Sequence, residues 1–195
     1  MIRVVNKNQA INNLKKGFPL GFSTDTLPAI GCFPEFSEII YKFKRRDKKK
    51  ALILMGADIY QLESFVHPAA KNDFFNLAQE FWPGPLTLVI PLAEEKKSIL
   101  LTNSNTLGLR VPNSLSAKSL ISETGPLATS SANISGLSTS FTAQEVSKDL
   151  PNLDLLGPIP WENCSGKAST IIAWSGKGRW KLLRQGQIRI LNIYK

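Results

Sequence analysis

The stretch "FFNLAQEFWPGPLTLVIPL", residues 74–92, contains a helical pattern, an abrupt break and a strand pattern in direct succession. Apolar residues recur every three or four positions from Phe74 to Phe81, which predicts a helix with one apolar side. The Pro-Gly-Pro sequence at 83–85 ends that helix. The apolar run at 86–92 does not alternate, as expected of a strand that is covered on both faces. This order favours an α/β fold, in which helices pack against a sheet.

The same alternation of helices and strands extends along the rest of the chain. Thr142 and Glu145 have the spacing of a capping box, and Gly17 suits the left-handed position after a helix. Further helices are predicted at 7–16, 35–44, 114–123 and 142–150, and further strands at 19–24, 51–55, 106–111, 126–129, 169–174 and 179–184. No repeat or linker interrupts the pattern, so we expect a single domain over residues 1–195.

The composition excludes several classes of protein. No apolar run approaches the roughly 20 residues of a membrane span, and the first residues lack the apolar centre of a secretory signal. We therefore expect a cytoplasmic protein without membrane contact. Cys32 and Cys164 lie far apart, and His67 is the one histidine of the chain, so neither a zinc site nor a disulfide framework is predicted.

The charge balance favours polyanionic partners. The chain has 24 Lys and Arg against 15 Asp and Glu, a formal charge of +9. Seven of the nine residues from Lys42 to Lys50 are basic, and they begin on the last turn of a predicted helix. One interpretation is a solvated surface at a helix C-terminus, where cations are favoured. The other is a phosphate site, to which Lys44 and Arg46 would contribute a compact charge and a two-pronged donor.

Two polar clusters follow predicted strands. "STDT", residues 23–26, could be a turn that bonds to its own backbone, or hydroxyl groups that line a pocket for a small polar ligand. "TSSANISG", residues 129–136, offers small side chains and successive N–H groups that can cradle an anion. It is not a Walker loop, and no Gly-x-Ser-x-Gly elbow supports a catalytic serine.

Taken together, a series of segments resembles the Sua5/YciO/YrdC family, and within it the threonylcarbamoyl-AMP synthases. In chain order they are "FSTDTLPAIGC", "KFKRR" with "KKALILMGAD", "WPGPLTLVIPL", "TLGLRVPN", "LATSSANISG", "ASTII" and "LLRQGQI". The resemblance runs from about residue 8 to residue 190. It implies a twisted sheet flanked by helices and curved around a deep basic cavity, in the short single-domain form of the family.

The resemblance also implies an activity. It predicts a nucleotidyltransferase that joins L-threonine, bicarbonate or CO2, and ATP into L-threonylcarbamoyladenylate and pyrophosphate, for the modified adenosine t6A at tRNA position 37. Mg2+ would enter with the ATP phosphates. The implied partners include tRNA or another RNA as a candidate contact, and the transferase proteins that use the product.

The family motifs assign residues to this activity by position. The Lys-x-Arg pair corresponds to Lys44 and Arg46, which are implied to be catalytic and to hold the ATP phosphates. The other implied ATP ligands are Lys50, Thr106, Ser131, Asn133, Thr139 and Arg184. The implied threonine ligands are Thr24, Thr26, Arg110, Thr129 and Ser169. No metal-ligating residue is implied.

The chain departs from the family pattern in one wall of the expected pocket. Pro28 and Ala29 replace a common aromatic-glycine pair, Ser23 and Asp47 replace prolines, and "TIIAW" lacks a frequent aspartate. Two other interpretations stay open at this point. One is a non-catalytic RNA-binding protein of the same fold, and the other is a related carbamoyl-adenylating enzyme with a different acceptor.

Overall fold

The structure, a computed structural model, describes residues 2–96, 105–162 and 164–190. Its strands are β1 (Arg3–Val5), β2 (Leu20–Phe22), β3 (Ala29–Cys32), β4 (Ile53–Met55), β5 (Leu86–Pro91), β6 (Thr106–Arg110), β7 (Leu127–Ser131), β8 (Asp154–Leu156), β9 (Thr170–Gly176) and β10 (Arg179–Arg184). Its α-helices are α1 (Lys7–Lys15), α2 (Glu38–Lys44), α3 (Ile59–Glu63), α4 (Lys71–Phe81), α5 (Leu115–Thr124) and α6 (Ala143–Asp149). Short 3-10 helices occupy Pro34–Phe36, Pro68–Ala70 and Glu94–Lys96.

All ten of these strands join one mixed sheet. Their order across the sheet is β1-β8-β2-β3-β7-β4-β6-β5-β9-β10. The pairs β1–β8, β2–β8, β4–β6 and β5–β9 are parallel, and the other neighbours are antiparallel. Strands that are distant in sequence therefore lie side by side at the centre of the sheet, where β7, β4 and β6 meet.

Helices cover both faces of the sheet. Leu54 packs in a cluster with residues of α3 and α4, including Phe74. The next residue, Met55, packs in another cluster with residues of α1 and α5, including Leu14. Because successive residues of a strand point to opposite faces, these two clusters lie on opposite sides of β4. A third cluster, around Ile40 of α2 and Val146 of α6, completes the core. The α/β fold class predicted from the sequence is confirmed.

The local signals in the sequence predicted most helix ends correctly. Thr142 and Glu145 form the expected capping box at the start of α6. Gly17 follows α1 with a φ of +84°, the left-handed conformation that glycine adopts without a steric cost. The helix in the opening segment ends at Phe81, and Trp82 is its C-cap directly before the Pro-Gly-Pro sequence. These three predictions depend on residues that lie close together in the sequence, so a local pattern is enough to make them.

Three strands and one α-helix were not predicted, and one burial prediction was wrong. The strands β1, β3 and β8 and the helix α3 have only three to five residues each, too few to show a period. The strand predicted at 51–55 begins at Ile53, which is half-buried rather than covered on both faces. None of the described helices is long and apolar enough to cross a membrane.

Candidate active site

A cavity of about 190 Å³ lies over one face of the sheet. Alternate residues of adjacent strands form its floor, since side chains at every second position share a face. The floor residues are Ala29, Thr129, Ser131, Ile53, Met55, Arg110, Thr87 and Ile171, and the walls include Thr26, Leu27, Pro28, Arg46, Ala51, Ser130, Ala168, Ser169 and Arg184. The half-buried side of β4 is therefore explained, because Ile53 faces this cavity.

Gly108 keeps the middle of the floor low. A Cβ atom at this position would lie 2.9 Å from Cγ2 of Ile53 and 3.3 Å from Cγ2 of Thr87. Glycine thus lets the side chains of the two neighbouring strands approach each other across β6. Any larger residue at 108 would raise the floor or force these two side chains apart.

Arg110, at the end of β6, is fixed by three hydrogen bonds inside the protein. Its Nε donates to the Gly84 carbonyl at 3.1 Å, its Nη1 to Oγ1 of Thr26 at 2.8 Å, and its Nη2 to Oδ1 of Asp25 at 2.6 Å. The backbone N–H of Asn113 also donates to that carboxylate oxygen. Burial lowers the pKa of Arg110, and the charge of Asp25 opposes the shift. Because a guanidinium has five N–H donors, two remain for a ligand.

Arg184, in β10, reaches the cavity across the backbone of Ser169. Its Nε and Nη2 donate to the Ser169 carbonyl at 3.1 and 2.9 Å, and Nη2 also reaches Oγ of Ser169 at 3.2 Å. The same hydroxyl lies 2.8 Å from Oγ1 of Thr87. Burial lowers the pKa of Arg184, yet an arginine stays charged at neutral pH. Its charge also contributes to the lowered pKa of Arg110, so the two guanidinium groups influence each other.

Arg46 supplies the third cation of the cavity. Its Nε donates to the carbonyl of Lys50 at 3.0 Å and its Nη2 to the carbonyl of Ala51 at 2.8 Å. These two bonds hold the guanidinium against the start of β4, and its Nη1 has no acceptor among the described residues. The preceding residue, Arg45, adopts the left-handed conformation that ends α2 and turns the chain toward the cavity. Burial lowers the pKa of Arg46 as well.

Lys44 is almost completely buried and binds the turn after β7. Its Nζ donates to the carbonyl of Ser131, to the carbonyl of Asn133 at 2.6 Å and to Oδ1 of Asn133 at 3.3 Å. The backbone carbonyl of Lys44 accepts from the N–H of Ser135 at 2.9 Å. Burial and the neighbouring Arg46 lower the pKa of Lys44 to about 8. All three N–H donors of the ammonium group are therefore occupied by this turn.

Asn133 holds the other side of that turn. Its Oδ1 accepts from the Ser131 hydroxyl at 2.7 Å, and its Nδ2 donates to the carbonyls of Ile134 and Leu137, each at 3.0 Å. Its side chain is buried beneath the cavity wall rather than in the lining. Asn133 and Lys44 therefore shape the surface that Ser131 presents to the cavity.

The structure brings seven of the thirteen predicted site residues into the cavity lining. They are Thr26, Arg46, Arg110, Thr129, Ser131, Ser169 and Arg184. Six lie outside it, namely Thr24, Lys44, Lys50, Thr106, Asn133 and Thr139. Lys50 and Thr106 are exposed, the latter at the opposite end of β6 from Arg110, and Thr139 is half-buried. Direct ligand contact by any of the thirteen residues stays a prediction.

Thr24 acts within the loop that carries the "STDT" segment. Its Oγ1 donates to the carbonyl of Leu27 at 2.7 Å and accepts from the N–H of Thr26 at 3.2 Å. This is the local bonding expected of a turn, so both sequence interpretations apply here, the turn to Thr24 and the pocket lining to Thr26. Beyond the loop, Ser165 and Gly166 donate their backbone N–H groups to the carbonyls of Asp25 and Thr26.

The place of Thr87 in the cavity and the pairing of Asp25 were not predicted from the sequence. Thr87 lies within an apolar strand pattern, so only its neighbours in the fold indicate its place in the cavity. Asp25 pairs with Arg110, which is 85 positions away in the chain. Cys32 and Cys164 are free, and the described residues contain no cluster of three potential metal ligands. His67 caps a 3-10 helix, where its Nδ1 accepts from the N–H of Ala69.

Comparisons with known proteins give a consistent result. A family model named Sua5_yciO_yrdC and described as telomere recombination matches residues 12–186. The chain is 28% identical over 150 residues to threonylcarbamoyl-AMP synthase of Aliivibrio fischeri, which covers 74% of this chain and 81% of that protein. It is 35% identical over 147 residues to threonylcarbamoyl-AMP synthase of Bacillus subtilis, which covers 73% of this chain and 42% of that protein.

The fold is also similar to that of a solved structure. P. abyssi Sua5 complexed with L-threonine matches with a TM-score of 0.84 and 28% identity, over 95% of this chain and 57% of that one. The present chain therefore spans only part of the length of the B. subtilis and P. abyssi proteins.

Proposed function

Because this chain belongs to the Sua5/YciO/YrdC family, we propose that it forms L-threonylcarbamoyladenylate and pyrophosphate from L-threonine, bicarbonate or CO2, and ATP. Its similarity to threonylcarbamoyl-AMP synthases and to a Sua5 protein with bound L-threonine supports this activity. The product supplies the threonylcarbamoyl group for t6A in tRNA.

One observation carries the proposal, namely that three arginines with N–H groups to spare converge on one cavity lined by hydroxyl groups. Arg46, Arg110 and Arg184 come from distant parts of the chain and are each held by protein acceptors. The substrates carry a carboxylate, a carbonate or carbamate and a triphosphate, all of which need donors. A cavity with cations at several points can bind these groups next to each other.

Arg110 is suited to the carboxylate of threonine. One N–H donor remains on Nη1 and one on Nη2, and both are available to carboxylate oxygens, while the other hydrogen of these two nitrogens is held by Thr26 and Asp25 respectively. Thr26 accepts a hydrogen bond from Arg110, so the hydroxyl hydrogen of Thr26 is available to a ligand or to Thr24. In this proposal, the threonine end of the cavity would lie at the end of β6.

Arg46 is suited to the phosphates of ATP. It borders the cavity close to Ala51, and Ser131 belongs to the same lining. Lys44 would support this end by holding the turn that contains Ser131 and Asn133. The cavity lining among the described residues contains no carboxylate, which fits a Mg2+ ion that ATP brings with its own phosphates and water ligands. The ion would offset charge on the departing pyrophosphate.

The proposed reaction needs no covalent bond to the protein. The amine nitrogen of threonine bonds to the carbon of CO2 and loses a proton, which yields a carbamate. A carbamate oxygen then bonds to the α-phosphorus of ATP, while the bond to the bridging oxygen breaks and pyrophosphate leaves. The protein would contribute alignment and fixed positive charge, and alignment alone can supply roughly 7–11 kcal/mol.

The test is pyrophosphate release by the purified protein. With ATP, Mg2+ and bicarbonate present, we expect release only when L-threonine is added, together with an adenylate of the expected mass. Absence of release under these conditions would refute the proposed activity. Release that is equally fast without threonine, or with another amino acid in its place, would instead identify a relative with a different acceptor.

Binding to tRNA or another RNA stays a separate proposal. The charge of +9 supports it, since affinity for a polyanion would arise from phosphate contacts and fall steeply with salt. A protein that binds RNA but never releases pyrophosphate would favour the non-catalytic alternative. The downstream transferase proteins are likewise proposed partners.

A further inference from the structure

Thr87 is a buried polar residue in the floor of the cavity, and the family motifs assign it no role in the site although it lies in one of their segments. It lies in β5, has 0% exposure and borders the cavity beside Ile171 and Arg110. The pairing of Leu88 with Leu109 places Thr87 next to Arg110 in the register of β5 and β6. Among the described residues, its hydroxyl bonds to Oγ of Ser169, at 2.8 Å.

The hydrogen bonds around Ser169 restrict the direction of its hydroxyl hydrogen. A serine oxygen has one hydrogen to donate and two lone pairs that accept. Nη2 of Arg184 donates to this oxygen at 3.2 Å, because a guanidinium can only donate. Between Thr87 and Ser169, either hydroxyl can in principle be the donor.

Burial decides between these two directions. If Ser169 donated to Thr87, the hydrogen of Thr87 would have no acceptor among the described residues, and Thr87, with 0% exposure against 4% for Ser169, is the less accessible of the two to water or a ligand. If Thr87 donates to Ser169, both lone pairs of Ser169 are filled and its own hydrogen points elsewhere. Buried donors are almost always bonded, so the second direction is favoured. Ser169 borders the cavity, where its hydrogen can meet a ligand.

We propose that Thr87 is a positioning residue that donates to Ser169 and thereby holds the Ser169 hydroxyl as a hydrogen-bond donor to an anionic oxygen of the amino-acid substrate. Arg184 and Arg110 flank this donor, and the carboxylate and carbamate oxygens of the substrate are the groups that need such donors. The inference rests on the proposed function, and it adds a residue whose effect is transmitted through Ser169.

The test compares the variants T87V, S169A and T87V/S169A with the unaltered protein. Valine keeps the shape and the β-branched stem of threonine but cannot donate. Pyrophosphate release is measured against threonine concentration at saturating ATP and bicarbonate, which gives KM for threonine and kcat separately. T124V serves as the matched control, since Thr124 donates to Gly125 at the end of α5 and does not line the cavity.

We expect T87V to raise KM for threonine about tenfold, with a smaller change in KM for ATP, and T124V to leave both values unchanged. The double variant should match S169A within about twofold, because Thr87 has no route to the substrate once the Ser169 hydroxyl is gone. Thr87→Ser should stay close to the unaltered protein and Thr87→Ala should resemble T87V. This second pair differs by one hydroxyl and decides the question if T87V does not fold.

Two results would overturn the inference while leaving the proposed function intact. In the first, the unaltered protein is active, but T87V has the same KM for threonine as the unaltered protein, or Thr87→Ser and Thr87→Ala have the same KM as each other. The other is a double variant in which the two single effects multiply, since Thr87 would then act independently of Ser169. Inactivity of the unaltered protein would count against the proposed function instead.

Discussion

Replacing Lys44 by methionine tests whether its ammonium group holds the turn or binds ATP directly. Methionine fills most of the space of the lysine stem but donates no hydrogen bond. In the K44M variant, the carbonyls of Ser131 and Asn133 lose the donor that now lies between them. The turn that presents Ser131 to the cavity would therefore be destabilised before any ligand binds.

The expected loss of stability follows from these two carbonyls. A buried acceptor that is left unsatisfied costs about 1–3 kcal/mol, so two of them give about 2–6 kcal/mol. Removing a buried charge offsets part of this cost, which leaves an expected loss of about 2–4 kcal/mol in the free energy of unfolding. This is a large share of the stability of a typical domain, about 5–15 kcal/mol.

Two measurements on K44M separate the possibilities. Urea unfolding without ligand reports the stability of the turn, and calorimetric titration reports the dissociation constant for ATP. In K44M we expect a lower free energy of unfolding and weaker binding of ATP. K48M alters an exposed lysine paired with Glu38, and it should change neither the free energy of unfolding nor the free energy of ATP binding by more than about 1 kcal/mol. If the free energy of unfolding is unchanged and ATP binding is weaker, Lys44 does not hold the turn, and its ammonium group binds the phosphates instead.

Three further predictions concern the cations of the cavity. Arg46→Ala should slow adenylate formation at least about 10²-fold, measured as pyrophosphate release, with an unchanged rate counting against its phosphate role. Arg110→Lys should raise KM for threonine about tenfold or more, because an ammonium cannot hold Gly84 and Thr26 and still offer a fork to a carboxylate; a normal KM would exclude that contact. ATP binding should weaken as pH rises through about 8, since Lys44 then loses its proton and one of its three donors, whereas K44M should show no such step in calorimetry.

The sequence predicted those parts of the fold that depend on neighbouring residues. The capping box of α6, the glycine after α1 and the proline-limited end of α4 all lie within a few positions of the groups they bond. The strand β3 shows the opposite case. Its four residues are placed by partners in β2 and β7, and the latter lies about a hundred positions away. No local pattern could indicate that pairing.

The residues of the candidate site show the same difference between local patterns and contacts that are distant in the sequence. Family motifs identified Arg46, Arg110 and Arg184, because each stands in a recognisable segment. They did not show that the N–H groups of Lys44 donate to a turn, because this depends on which carbonyls surround the ammonium group. Thr87 was overlooked because its polarity is hidden within an apolar strand, and its importance depends on Ser169, 82 positions later.

If Arg110 binds the substrate carboxylate as proposed, the three bonds that hold it have a consequence for how the protein would discriminate between ligands. A long, flexible side chain usually gives up rotational freedom when a ligand arrives, but here that entropic cost is met during folding. The guanidinium would then be fixed in one orientation before a ligand binds, and it could not reorient to fit a molecule of another shape. Amines that lack a carboxylate should consequently gain nothing from this arginine, which makes the site selective by stiffness as well as by charge.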